Sequence, residues 1–193
     1  MLHSGLNPFL LAAKCDEIEQ IKCFIKDDPA VVLTSIDDNK HNALHLSAHF
    51  GSSKVSEFLI EAYGFEMFDT RNAHSLNPFL LAVKYCKVDQ IMCFINLDSS
   101  MLTSVDTNKN NALHLSTQFR SLQVSELLIE EHGFDIFNTR NIDGLNPFLL
   151  AAKFGKVDQV TYFVNKYPGV STSLDLDDNN ALHLSVQFGS AKA

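Results

Sequence analysis

The amino-acid sequence predicts an all-α protein made of stacked helix-turn-helix units. Two observations support this prediction. A short motif returns along the 193 residues at a nearly constant interval, and each return is followed by apolar residues at helical spacing. Units of this kind bury their apolar faces against their neighbours in the chain, so the repeat length is the main clue to the architecture.

The repeated motif opens with asparagine, and its copies begin 34 or 35 residues apart. The odd copies read Asn-Pro-Phe-Leu-Leu-Ala and the even copies read Asn-Ala-Leu-His-Leu-Ser. The leading residues are Asn7, Asn42, Asn77, Asn111, Asn146 and Asn180. The near-identity of alternate copies indicates that a two-repeat block has been duplicated in tandem.

This spacing predicts one domain over residues 1–193, divided into repeats of about 34 residues. The approximate repeats are 1–36, 37–71, 72–105, 106–140, 141–174 and 175–193. The last is incomplete, because the pattern calls for a second helix after Lys192 and Ala193. A terminal repeat normally needs a polar cap, so we expect the chain to be a piece of a longer array.

Each repeat is predicted to contain two helices. Asparagine is a favoured N-cap, and the proline that follows it in the odd copies lacks the N–H that would have no partner in the first helical turn. A second helix follows with apolar residues three and four positions apart. Examples are Val55, Phe58 and Leu59, and in a later copy Val124, Leu127 and Leu128.

The segment from Asn42 to Ser47 resembles the Thr-Pro-Leu-His-x-Ala signature of the ankyrin-repeat family. Glycines follow the first helix where that family closes it, at Gly51, Gly155 and Gly189. The resemblance implies an ankyrin-repeat solenoid of stacked helix-turn-helix units with short β-hairpin connectors. Two departures are visible. The odd copies carry leucine instead of histidine, at Leu10, Leu80 and Leu149, and non-glycine residues close three first helices, at Asp16, Cys86 and Arg120.

Composition excludes several classes of partner. A net charge of -8 and a pI near 5.4 argue against nucleic acid, which needs a basic surface. No apolar run is long enough to insert into a membrane. The four cysteines fit neither a zinc pair nor a disulfide framework, so we expect reduced thiols and a cytoplasmic or otherwise intracellular protein. Cys23 and Cys93 fall at matching positions and are predicted to be small core residues.

The sequence contains no recognisable catalytic motif, and we predict that the chain is not an enzyme, with no metal, cofactor or small-molecule substrate. The recurring His45, His114 and His183 are too far apart in a stack to share a metal ion, so we expect them to brace the connecting turns. Acidic residues such as Asp37 are expected to form turns by bonding to the local backbone.

In ankyrin-repeat proteins, partners usually bind the concave side, formed by turn tips and the ends of the first helices. The resemblance therefore implies a partner site on Lys14, His49, Phe50, Lys84, Tyr85, Gln118, Phe119, Lys153 and Phe154. The turn tips of this candidate site are His41, His74 and Asp143. Most copies place an aromatic directly after a polar residue, and such rings supply large contact area. The alternative for these rings is that they are half-buried spacers between neighbouring helices.

The function predicted from this resemblance is a protein-protein interaction module that acts as a scaffold, an inhibitor or a targeting receptor. Two alternatives remain open. The chain could be the targeting portion of a larger enzyme or an effector protein of an intracellular microbe, or it could be a structural tether within a long repeat array. In each case the expected partner is another protein.

Overall fold

The computed structural model describes residues 5–64 and 69–189, and over these residues the protein is all-α, as predicted. The first helices of the repeats are α1 Pro8–Lys14, α4 Ala43–Phe50, α6 Pro78–Lys84, α8 Ala112–Gln118, α10 Pro147–Lys153 and α12 Ala181–Gln187. The second helices are α2 Ile18–Asp27, α5 Ser53–Tyr63, α7 Val88–Leu97, α9 Leu122–His132 and α11 Val157–Lys166. Short helical turns follow the second helices: α3 Val31–Thr34 and the 3-10 helices Ser99–Thr103, Gly133–Phe137 and Pro168–Thr172.

The chain divides into two compact units, residues 1–101 and 102–193. In the first unit, α4 packs between α1 and α6, and the second helices α2, α5 and α7 pack in the same order behind them. In the second unit, α10 packs between α8 and α12, while α9 packs against α11. Within each unit, therefore, successive repeats stack in chain order.

Asparagine caps every first helix. In all six, the side-chain oxygen accepts a hydrogen bond from the backbone N–H three residues later, at 2.8–3.1 Å. The N-cap predicted for the odd copies is confirmed, and the even copies share it. Each cap satisfies one of the N–H groups that a helix start leaves without an intrahelical partner.

The first helices end on a residue with left-handed backbone geometry, whether or not that residue is glycine. Gly51 has φ +83°, and the non-glycine residues at the matching positions, Asp16, Cys86 and Arg120, have φ values of 60°, 55° and 62°. This conformation is unfavourable for residues with a Cβ atom. At Asp16 a side-chain hydrogen bond compensates, because its carboxylate accepts from the N–H of Val55 in the next repeat at 3.0 Å.

The connectors are turns rather than the β-hairpins that the resemblance implied. In the described part of the chain no strand forms, and the one isolated bridge joins Val105 to Asn111. The reason is visible at Asp37, whose side-chain oxygen accepts hydrogen bonds from the N–H groups of Asn39 and His41. Those groups are therefore not available for a strand ladder. The turn-forming role predicted for Asp37 is confirmed.

The predicted core position of two cysteines is wrong. Cys23 is exposed and Cys93 is only half-buried. Ile21 and Ile91 occupy the buried face of their helices, and each cysteine lies two residues later, about 200° around the helix axis. Cys93 instead lies beside Glu57 of α5, and burial together with that carboxylate raises the pKa of its thiol to about 12.

Serine pairs form a buried polar connection between the two helices of the even repeats. Ser47 and Ser56 share a hydrogen bond of 2.7 Å in the first unit, and Ser116 and Ser125 share one of 2.8 Å in the second. Gln159 of the following repeat donates to Ser125 at 2.9 Å. Buried hydrogen bonds of this kind restrict how the packed helices can shift relative to one another.

The two units differ in how well their last repeat is covered. Leu113 in α8 is 0% exposed, whereas Leu182 at the same motif position in α12 is 71% exposed. α8 packs against both α9 and α10, while α12 packs against α10 and is the last helix of the described residues. Val160 of α11 is likewise only half-buried, although the matching Ile91 of α7 is fully buried. The match of residues 190–193 to an earlier repeat lies outside the described residues.

This difference gives a matched stability test. Leu113→Ala should lower the free energy of unfolding by about 2–5 kcal/mol, because it leaves a cavity in a packed core. Leu182→Ala deletes the same atoms at the same motif position and should change it by less than about 0.5 kcal/mol. Urea unfolding of both variants measures the difference. Equal losses would show that the repeats are assigned in the wrong register.

Candidate functional site

The predicted partner-binding side chains lie at the ends of the first helices. Lys14, Lys84 and Lys153 are the last residues of α1, α6 and α10. An aromatic ring lies at the end of α4 and directly after α6, α8 and α10. These rings, Phe50, Tyr85, Phe119 and Phe154, are each 40–45% exposed. They are therefore neither core residues nor fully solvated, and about half of each ring can contact a partner.

In the first unit these side chains form a continuous stack. The ring of His49 lies between those of Phe50 and Tyr85, with ring centres 4.4 Å and 3.8 Å away and nearly parallel planes. The Lys14 ammonium lies 4.5 Å from the centre of the Phe50 ring, and the Lys84 ammonium lies 5.7 Å from that of Tyr85. Both distances suit a cation–π interaction. We call these five residues the ring stack.

A third lysine joins the ring stack, and it was not singled out from the sequence. The aliphatic stem of Lys87 passes close to Gly51, the residue that ends α4. Burial, the neighbouring His41 and the positive charges of Lys87, Lys14 and Lys84 together lower the pKa of His49 to about 4. The imidazole is therefore neutral near pH 7 and can stack on its neighbours as an uncharged ring.

The second unit has the same residue positions but a different arrangement. Gln118 stands where the first unit has His49, and its side chain is exposed and has no ring to stack. The Lys153 ammonium lies 3.8 Å from the carboxylate of Asp143 and 4.6 Å from the centre of the Phe188 ring. Phe154 instead has the ammonium of Lys156 near its ring, at 5.9 Å.

The three predicted turn tips occupy different environments. His74 and Asp143 are exposed, as a tip requires. His41 is buried, which corrects its assignment to a tip. Its backbone carbonyl closes the turn by accepting from the N–H of Asp37, and its Nδ1 lies 2.9 Å from the Asp37 carboxylate. The ring then packs beside those of His45 and His49, at the base of the turn.

The histidine of the even repeats was predicted to brace the connecting turns in all three copies, and two of the three join the first helix to the next turn. Nε2 of His45 donates to the carbonyl oxygen of Leu76 at 3.0 Å, and Nε2 of His114 donates to that of Leu145 at 2.9 Å. Burial lowers the pKa of both rings to about 4. His183, in the sixth repeat, is exposed.

Two further findings bear on what the chain can bind. Among the described residues there is no group of three or more His, Cys, Asp or Glu side chains placed to hold a metal ion. Within residues 5–64 and 69–189, no helix combines the length and the apolar character needed to cross a lipid bilayer.

No protein-family model matches the chain.

The buried histidines predict a specific dependence of stability on pH. Because the folded pKa of about 4 lies below the ordinary histidine pKa of 6.5, the unfolded chain binds more protons between these values. The histidine contribution to stability is thus complete above about pH 6.5 and is lost as the pH falls towards 4. His114→Gln should reduce the slope of unfolding free energy against pH in this window.

Urea unfolding at a series of pH values measures that slope. Leu115→Ala is the matched control, because it destabilises the adjacent core position without removing an imidazole. It should lower stability by a similar amount at every pH in the window and keep the parent slope. If His114→Gln also keeps the parent slope, the buried imidazole is not the titrating group.

Proposed function

We propose that this chain is an ankyrin-repeat solenoid and that it acts as a protein-protein interaction module. Four observations support the family assignment: the repeat length, the two-helix unit, the asparagine caps, and the histidine bonded to the next turn in two even repeats. The two parts of the proposal are linked, because stacked short repeats expose side chains at equivalent positions rather than enclosing a pocket.

The observation that carries the functional proposal is a row of half-exposed aromatics at the ends of the first helices within each unit. A soluble protein gains stability by burying large rings, so the repetition of such exposed rings in successive repeats needs a reason other than stability. Aromatic side chains supply large contact areas and are enriched among the residues that contribute most to protein interfaces. We infer that the partner contacts this row.

The exposed thiols fit an intracellular setting for that interaction. Cys15, Cys23 and Cys86 are exposed and unpaired. Exposed free thiols persist where the compartment is reducing. We therefore propose that the partner is an intracellular protein.

The proposal predicts that the rings matter more for binding than for stability. The double variant Phe50→Ala with Tyr85→Ala should lose far less stability than the about 3–5 kcal/mol of a buried aromatic, yet weaken partner binding by about 2 kcal/mol or more. Affinity capture from a lysate of the source cells, compared by quantitative mass spectrometry, identifies the proteins that depend on these rings.

Phe134→Ala is the matched control, because Phe134 is 43% exposed and lies away from the ends of the first helices, in a 3-10 helix. It should retain the captured proteins that the double variant loses. Identical capture by the parent and the folded double variant would refute binding through these rings.

A further inference from the structure

The ring stack of the first unit brings aromatic rings and lysine ammonium groups together. The protein carries a net charge of -8, yet the ring stack is flanked by Lys14, Lys84 and Lys87. These lysines come from the first and third repeats and converge on the end of α4 in the second. A small cationic surface on an acidic protein attracts anionic groups to one place and repels them elsewhere.

The electrostatics at the centre of the ring stack support this description. After burial and the neighbouring His41, the groups that lower the pKa of His49 are three lysines, Lys87, Lys14 and Lys84. The nearest carboxylate of the turn, on Asp37, is occupied by Nδ1 of His41 and by two backbone N–H groups. The Asp37 carboxylate is therefore held within the turn. A carboxylate of a ligand would meet the lysine ammonium groups at the ring stack.

The ring stack also offers apolar contact. The exposed parts of Phe50 and Tyr85 flank the neutral imidazole of His49. Beside them, a cleft of about 240 Å³ is bounded by Lys14, His41 and Phe50, with Leu46 and the turn residue Asp37 also among its lining residues. A binding surface with apolar rings and separate ammonium groups fits a ligand that presents an apolar side chain next to carboxylates.

We propose that the ring stack and Lys87 bind a carboxylate-rich segment of the partner protein that also carries an apolar side chain. In this arrangement Lys14, Lys84 and Lys87 bind the carboxylates, and the apolar side chain packs on the rings. This assignment rests on the proposed protein-binding function and names the chemistry of the partner. The second unit does not offer the same surface, because Gln118 replaces the central ring and Asp143 lies beside Lys153.

A displayed library of short random peptides tests the assignment without a known partner. Peptides selected on the immobilised parent protein should be enriched in Asp and Glu next to Leu, Ile or Phe. Their affinities are then measured by fluorescence anisotropy against two double variants of equal charge change. Lys14→Glu with Lys84→Glu alters the ring stack, whereas Lys26→Glu with Lys54→Glu alters exposed lysines on the second helices α2 and α5.

Relative to the parent, the ring-stack variant should bind the selected peptides at least about tenfold more weakly. The control variant should bind them at most about twofold more weakly. Raising the salt concentration should weaken parent binding as well. Urea unfolding checks that both variants fold; if the glutamate pair does not, Lys14→Gln with Lys84→Gln replaces it.

Three results would overturn the assignment. Selected peptides that are neutral or basic, or that bind both variants equally, would refute the proposed acidic character of the partner segment. They would not refute a protein-binding function. A single-stranded oligonucleotide that competes as strongly as the peptide would show a general polyanion site instead. If no peptide is enriched on the parent, both the acidic partner and the proposed binding function fail.

Discussion

Each repeat depends on one asparagine side chain. Its oxygen caps the first helix, and in several repeats its nitrogen donates to the segment that leads out of the same repeat: Asn7 to Ser35 at 2.7 Å, and Asn146 to Ser173 at 2.9 Å. An ionised aspartate cannot provide both groups, since its carboxylate only accepts hydrogen bonds, whereas the asparagine side chain has an oxygen that accepts and an amide nitrogen that donates. The asparagine thus fixes where the first helix begins and where the chain must return after the second.

The turn that follows is fixed by a second set of polar contacts. Asn72 and Asn141 each accept two backbone N–H groups within their turn, as Asp37 does in the preceding connector. Successive turns then bond to each other, for example through the N–H of Ala73 and the carbonyl of Asn39 at 2.8 Å. Turn geometry is therefore shared between adjacent repeats of a unit, which makes short, individually unstable connectors cooperative.

The features that could be predicted from sequence are those decided within one repeat. Helix starts, turn-forming acidic residues and the all-α class follow from local residue chemistry, and repetition gives each pattern several independent occurrences. Features decided by neighbouring repeats could not be predicted in this way. The exposure of Cys23 depends on which face of α2 is covered, and the stacking of His49 on Tyr85 depends on the spacing between α4 and α6. The burial of His41 arises within its own repeat, from contacts with the rings of His45 and His49 that no local pattern specifies. The sequence pattern identified the polar-aromatic pairs but not which of them would touch.

The same first helix carries stability at one end and the candidate binding surface at the other. In α4, Leu44 and His45 near the start are buried, and the histidine bonds to the next turn, whereas His49 and Phe50 in the last turn reach the surface. These groups lie about one helical turn apart. The His41 ring packs beside the rings of both His45 and His49, so the two ends of the helix are in contact through it. The duplicated even repeats nevertheless differ in this last turn, for example at His49 and Gln118, while keeping the asparagine cap and the buried histidine that bonds to the next turn. The arrangement permits binding chemistry to change repeat by repeat without redesigning the fold.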